Sequence, residues 1–179
     1  MIIGVFGGKR PKFVHPVSPA PRTAVLSRLF RPSRRVVCFN PEDMDQVRKW
    51  RPESVAGYLE QVETAWVEPN HSLVVFTSRD LPLSETDRER LWRRFQIPVF
   101  EQMITPDGEL IAFECEGHEG LHLACSLDDA PAGAVRYGRC RCGEEVTRVF
   151  PFEMPGDQCT FTVTRSGSRR PAASVASMR

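Results

Sequence analysis

Cys115, His118, His122 and Cys125 crowd into the stretch ECEGHEGLHLAC, and Cys140 and Cys142 follow in GRCRCG. Thiolate and imidazole are the donors that zinc gathers into a tetrahedral set of four. The Cys140-x-Cys142 pair can deliver two donors from one turn, and Gly143 lets the backbone fold tightly behind them. The other two must come from residues 115–125. If 121–126 is a strand, side chains alternate, so His122 and Cys125 face opposite ways and cannot share an ion. Cys115, at the end of one strand, and His122, at the start of the next, can converge across the Gly117–Gly120 loop. The expected metal ligands are therefore Cys115, His122, Cys140 and Cys142, with His118 the substitute if His122 faces away. Four protein ligands leave no open coordination position, so the expected zinc is structural. A Cys-His nucleophile would need a third group to orient its base. The sequence locates none, and no catalytic residue is expected.

These side chains need strands and turns to position them, and the rest of the chain supplies an α/β pattern. RRVVCF (34–39) reads as a short strand. Asn40-Pro41-Glu42-Asp43 then reads as a helix start, with Asn40 as cap and Pro41 at the first helical position. That helix carries Met44, Val47 and Trp50 on one face and stops at Arg51-Pro52. A second helix is expected from Ser54, with Val55, Leu59, Val62 and Trp66 inward. SLVVFTS (72–78) is a continuous apolar strand of the kind buried on both faces. Ser84-Glu-Thr-Asp87 is a capping box before a helix with Leu91, Trp92 and Phe95 on one side. IPVFEQMI, a Thr105–Gly108 turn, ELIAFECE and GLHLACS complete a run of strands. The expected fold is a mixed sheet flanked by helices, parallel in its core and antiparallel at its end.

The chain has 179 residues and a formal net charge of +1, with 41% hydrophobic residues, which suits one domain with a real core. Three parts are expected: a Pro/Arg-rich segment over 1–33, an α/β domain over 34–164 with the zinc region at 110–150, and a disordered basic tail over 165–179. Residues 9–35 carry Lys9, Arg10, Lys12, Arg22, Arg28, Arg31, Arg34 and Arg35 and no acid. No aromatic stacking pattern accompanies them, so nucleic acid is not the expected partner. No apolar run approaches the roughly 20 residues that span a bilayer, and MIIGVFGG lacks a basic segment in front, so a signal peptide is not expected. Cytoplasm is the expected compartment, where six Cys favour metal over disulfides. Cys38, Cys125 and Cys159 then read as ordinary small core residues.

Four segments, in order, carry a resemblance. NPEDMDQVRKWRPESVAGYLEQVE is similar to a helix–turn–helix stretch of phenylacetate–CoA ligases. LPLSETDRERLWRRFQIPVFEQ looks like those enzymes' Pro-Leu-Thr-Glu segment, helix and strand. IAFECEGHEGLHL resembles their Glu-Cys-Glu…Gly-Leu-His run, and GRCRCGEEVTRV resembles their Cys-x-Cys-Gly segment. The resemblance covers about residues 35–150 and implies one subdomain of the N-terminal domain of adenylate-forming enzymes, of the AMP-binding superfamily. It also implies a structural zinc at the same four positions, Cys115, His122, Cys140 and Cys142.

The departures bear on function. The family's phosphate loop has no counterpart in these residues. Met103-Ile-Thr-Pro-Asp-Gly-Glu109 stands at the family's adenylate-contacting motif, and VRYGRC, without an Asp, stands at its ribose-gripping one. Its C-terminal domain with a catalytic Lys also has no counterpart. Activating a carboxylate needs ATP phosphates held and neutralised. The expected function is thus a non-catalytic, zinc-stabilised binding or accessory module, with no cofactor-binding residue identified beyond the metal ligands. The alternative is a trimmed ligase-like protein that binds an acyl, aryl or nucleotide ligand, with or without a partner chain. That ligand would face strand ends at Ser78–Leu81 and Phe100–Met103, where Asp80 and Glu101 stand as acids. Both acids are expected to be ordinary solvated residues.

Overall fold

In the computed structural model, residues 10–65, 67–126, 130 and 133–151 are described. The run SLVVFT becomes a strand at Ser72–Thr77 that is buried along its whole length. Its side chains alternate between two apolar layers: Leu73 and Val75 enter one, Val74 and Phe76 the other. Burial on both faces is what an uninterrupted apolar run requires, and every other element is arranged around it.

In chain order the elements are β1 (Thr23–Val25), β2 (Val36–Cys38), α1 (Met44–Trp50), β3 (Ser54–Tyr58), α2 (Leu59–Thr64) and β4 (Ser72–Thr77). They continue with α3 (Glu85–Phe95), β5 (Val99–Ile104), β6 (Leu110–Glu114), β7 (Leu121–Leu123), β8 (Ala134–Arg139) and β9 (Glu145–Phe150). Among the described residues they form one nine-stranded sheet in the order β2-β1-β3-β4-β5-β6-β7-β9-β8. The first five strands in that order pair parallel. From β5 onward every pairing is antiparallel. The mixed α/β sheet with an antiparallel end is as expected.

The helices share one apolar layer, in which Val47 of α1, Val62 of α2 and Leu91 of α3 meet Leu73, Val75 and Val99. One-handed crossovers between parallel strands put them on that common side. The second face is roofed by the N-terminal segment, whose Phe13 and Phe30 are buried against Phe76 and Phe100. The sheet therefore crosses the boundary expected at residue 34: β1 lies inside it, between β2 and β3. Two of the N-terminal arginines serve this packing. Arg22 donates to the Trp50 carbonyl at 2.6 Å and lies over its ring, and Arg35 donates to the Ala20 carbonyl at 3.1 Å.

Three local expectations are corrected. Asn40 does not cap α1; the Asp43 amide donates to the Asn40 carbonyl at 3.0 Å, closing a turn, and the helix starts after Asp43 without a side-chain cap. Ser54–Tyr58 is a strand, not the start of a helix, because β4 and β1 offer its backbone ladder partners on both sides. The helix begins at Leu59, and the Tyr58 amide donates to Gln61 Oε1 at 3.0 Å. Trp92 lies 49% exposed on α3, while Leu91 fills the core. Trp66 lies outside the described residues, as do Cys159 and the 165–179 tail. The remaining stops hold: Arg51 ends α1 in the left-handed region, and the Ser84 side chain accepts the Asp87 amide at the start of α3. Among the described residues no helix is long and apolar enough to cross a membrane.

A buried polar contact ties the N-terminal roof to the sheet. His15 Nε2 lies 3.2 Å from both Ser54 Oγ and Ser72 Oγ, and the Val17 amide donates to its Nδ1 at 3.1 Å. With Nδ1 accepting, Nε2 carries the proton and the ring is neutral. Burial first, and His71 nearby, pull its pKa down from 6.5 to about 4. The unfolded chain thus takes a proton below pH 6.5 that the native state refuses until about pH 4. The stabilisation is complete above 6.5 and fades as pH falls toward 4. We expect the wild type to lose about 2 kcal/mol more unfolding free energy than His15→Gln between neutral pH and the lower end of that window. Equal losses in urea titrations would remove His15 as the source.

Candidate metal centre

β6 ends at Glu114 and delivers Cys115 into a turn closed by the His118 amide donating to the Cys115 carbonyl at 3.0 Å. β7 returns beside β6 with His122 at its centre, opposite Phe113. β8 ends at Arg139, and Cys140 to Gly143 turns the chain into β9. That turn is closed by the Gly143 amide on the Cys140 carbonyl at 2.9 Å, with Gly143 at φ +95°. β7 pairs with β9, so the two turns meet over the same end of the sheet.

The meeting brings Cys115, His122, Cys140 and Cys142 together with all four donor atoms within 4.8 Å of one another. Cys115 Sγ is 3.5 Å from Cys140 Sγ, and Cys142 Sγ is 3.8 Å from His122 Nε2. A tetrahedral ion with metal–sulfur bonds of about 2.3 Å has ligand–ligand edges of about 3.8 Å. The spacing, the three-thiol-one-imidazole chemistry and the count of four all fit a metal ion and are compatible with zinc. Cys115, His122 and Cys140 are buried and Cys142 is exposed.

The close approach of the turns depends on Gly117. A β-carbon there would sit 3.1 Å from Cys140 Sγ and 3.2 Å from the Cys142 amide nitrogen. Backbone amides also prepare the sulfurs for charge: Gly117 N–H donates to Cys115 Sγ at 3.3 Å, and the Cys142 amide donates to Cys140. Burial disfavours the Cys140 thiolate, yet the Cys142 amide, His122 and Cys115 outweigh it and bring that thiol down to about 6. Burial, with Cys140 and Cys142 beside it, pushes Cys115 up to about 12. Of the two, Cys140 gives up its proton more readily than Cys115, and a bound ion would displace the proton from either.

The alternatives raised by the sequence are engaged elsewhere. His118 Nδ1 pairs with Glu114 Oε1 at 2.8 Å, and its ring stacks on Phe100 at 4.9 Å. Cys125 lies outside the cluster, its Sγ 3.4 Å from the Ser126 carbonyl. Cys38 contacts the Phe30 carbonyl at 3.4 Å, as an ordinary half-buried residue would.

Beside the metal centre lies a cavity of about 950 Å³, bounded by α3, the start of β5, the 118–121 turn and the β8–β9 hairpin. Its lining includes Pro98, Val99 and Glu101 and none of Ser78–Leu81. Asp80 is exposed there, as expected of a solvated acid. Glu101 is not solvated; it is 2% exposed and accepts from Thr77 Oγ1 at 2.7 Å and the Leu83 amide at 2.9 Å. Arg88 of α3 bridges it to Glu114, at 3.1 and 2.8 Å. Burial pushes the Glu101 carboxyl up against those hydrogen bonds. For Glu114 burial acts the same way, but His118 and Arg88 win and hold its pKa below the ordinary value. This network was not anticipated. Its one sequence signal was an acid inside each of two largely apolar strands, FEQMI and IAFE.

A scan against protein-family models finds no match to this chain, and a search of curated proteins finds no relative.

Cys140→Ser should leave the purified chain with less than about a tenth of an equivalent of metal by elemental analysis, against about one in the wild type. Gly117→Ala should lower metal retention under chelator challenge, because the turns must part by a few tenths of an ångström. Arg88→Ala should cost about 3–5 kcal/mol in denaturant unfolding, since it strands two buried carboxylates. A cost below about 1 kcal/mol would mean that water already screens the network.

Proposed function

We propose that this chain is a non-catalytic, zinc-stabilised binding or accessory module, similar to part of a phenylacetate–CoA ligase and working in the cytoplasm. The observation that carries the reading is the closed donor set of Cys115, His122, Cys140 and Cys142. With four protein donors a zinc ion has no position left for water or substrate, so its contribution is to fold and shape. The arrangement of the two turns supports this: the ion would clasp the β6–β7 turn to the β8–β9 hairpin. The family likeness supports it separately, through residues 35–150 and the Cys-x-Cys segment. The partner in this reading is another protein or a small ligand held by the cavity wall.

The test joins metal content to ligand binding. About one equivalent of zinc is expected, and its removal by chelator should raise hydrogen exchange across 110–150 while leaving β4 protected, because binding energy at such a site is folding energy. Calorimetric titration with ATP and with phenylacetyl-type ligands should give flat traces. Saturable ATP binding would replace this reading with that of a trimmed ligase. Zinc below about a tenth of an equivalent in native protein would overturn the metal assignment.

A further inference from the structure

The four clustered donors differ in one respect: three are sealed in and one meets solvent. Cys115 and Cys140 are 5% and 3% exposed and His122 is buried, whereas Cys142 is exposed. Cys142 also belongs to a different turn from Cys115, yet the two sulfurs lie within 4.8 Å of each other. The turns press together at Gly117, where a β-carbon would stand 3.2 Å from the Cys142 amide nitrogen. Each turn is closed by its own backbone hydrogen bond, His118 N–H to the Cys115 carbonyl and Gly143 N–H to the Cys140 carbonyl. The fold itself therefore brings the sulfurs together. Oxidation of cysteine begins at an accessible sulfur and is captured as a disulfide when a second thiol stands beside it. Cys142 supplies the accessible sulfur and Cys115 the neighbour.

We propose that Cys142 and Cys115 are a peroxide-responsive thiol pair, whose disulfide replaces the metal clasp between the β6–β7 turn and the β8–β9 hairpin with a covalent one. This regulation deepens the metal-centred reading and rests on it. First the Cys142 sulfur attacks a hydroperoxide: an S–O bond forms, the O–O bond breaks, and water or an alcohol leaves with the thiol proton. The Cys115 sulfur then attacks the Cys142 sulfur. The S–S bond forms, the S–O bond breaks, and a water leaves with the second proton. The two thiols lose two electrons and two protons, and the hydroperoxide takes up both. With two of the four donors consumed, Cys140 and His122 no longer make a closed tetrahedral set. Cys140 Sγ is only 3.5 Å from Cys115 Sγ, but both are buried, so that pair is not where a peroxide enters. His118 to Leu121 and Arg136, Arg139 and Arg148 of the same two segments line the cavity, which ties its wall to the state of the pair.

The full-length chain, its zinc content measured first, would be treated with hydrogen peroxide while zinc release is followed with a chelating dye and disulfides are mapped by mass spectrometry. Trypsin cuts after Arg139, Arg141 and Arg148, so Cys140 and Cys142 fall in separate peptides, and fragment ions tell Cys115 from Cys125. Release of about one equivalent of zinc together with a Cys115–Cys142 bond is expected, and dithiothreitol with added zinc should reverse both. Cys142→His keeps four donors but puts nitrogen at the exposed position, and should slow zinc release in peroxide at least about tenfold. If that variant holds no zinc, the bond mapped in the wild type decides. A Cys115–Cys140 or Cys140–Cys142 bond in its place, release without a disulfide, or unchanged release from Cys142→His overturns the proposal. Zinc below about a tenth of an equivalent at the outset overturns the metal reading and the proposal together. Full zinc with no response to peroxide overturns the thiol pair alone.

Discussion

The β8–β9 hairpin is joined to the rest of this sheet through β7, a strand of three residues. Its pairing with β9 consists of two registers, Leu121 with Val149 and His122 with Arg148. A ladder that short cannot by itself hold a hairpin of two six-residue strands in place, and the apolar cluster beneath it is small, with Met103, Ile111, Ala112 and Leu121 as its buried members. The four donors converge at this weak joint. Cys115 comes from the body side and Cys140 and Cys142 from the hairpin, while His122 belongs to the joint itself. A metal cross-link at that point would substitute for the hydrophobic area that the segment lacks.

The parallel half solves the same problem by burial. β4 and β5 are covered on both faces, by helices on one side and by the N-terminal roof on the other. The Arg88–Glu101–Glu114 network sits where the two halves meet. It draws α3 onto the β5–β6 pair with charges instead of hydrocarbon, and such a network, once desolvated, tolerates few other arrangements. Glu114 also holds His118, so the turn that begins with Cys115 is anchored at both its ends.

The central strand was legible because six apolar residues in a row leave a chain little choice. The four donors were legible from their spacing, on the expectation of a strand over 121–126 that would turn Cys125 away from His122; the observed strand ends at Leu123, and Cys125 lies outside the cluster all the same. The Ser54–Tyr58 strand was not. Its Val55 and later Leu59 and Val62 mimic helical spacing, and the decision lay with backbone partners in β1 and β4, distant in sequence. β1 itself was hidden in a Pro- and Arg-rich context that reads as surface. Trp92 was misplaced because helical spacing fixes a face only to within a residue, and Leu91 took the core position. The β8–β9 hairpin is rich in charge, and only its Cys-x-Cys-Gly turn was visible.

The N-terminal roof carries a consequence for how the chain comes off the ribosome. Val14 accepts a hydrogen bond from Gln102 at 2.7 Å, and Phe13 closes over Phe76 and Phe30. The roof is made before β4 and β5, so until residues 76 and 102 follow, Phe13 and Phe30 have no sheet to pack on. Synthesis therefore leaves the apolar side of the roof uncovered for several seconds, at roughly 5–20 residues per second. The basic charges that crowd residues 9–35 then keep the waiting segment apart from its neighbours on the polysome.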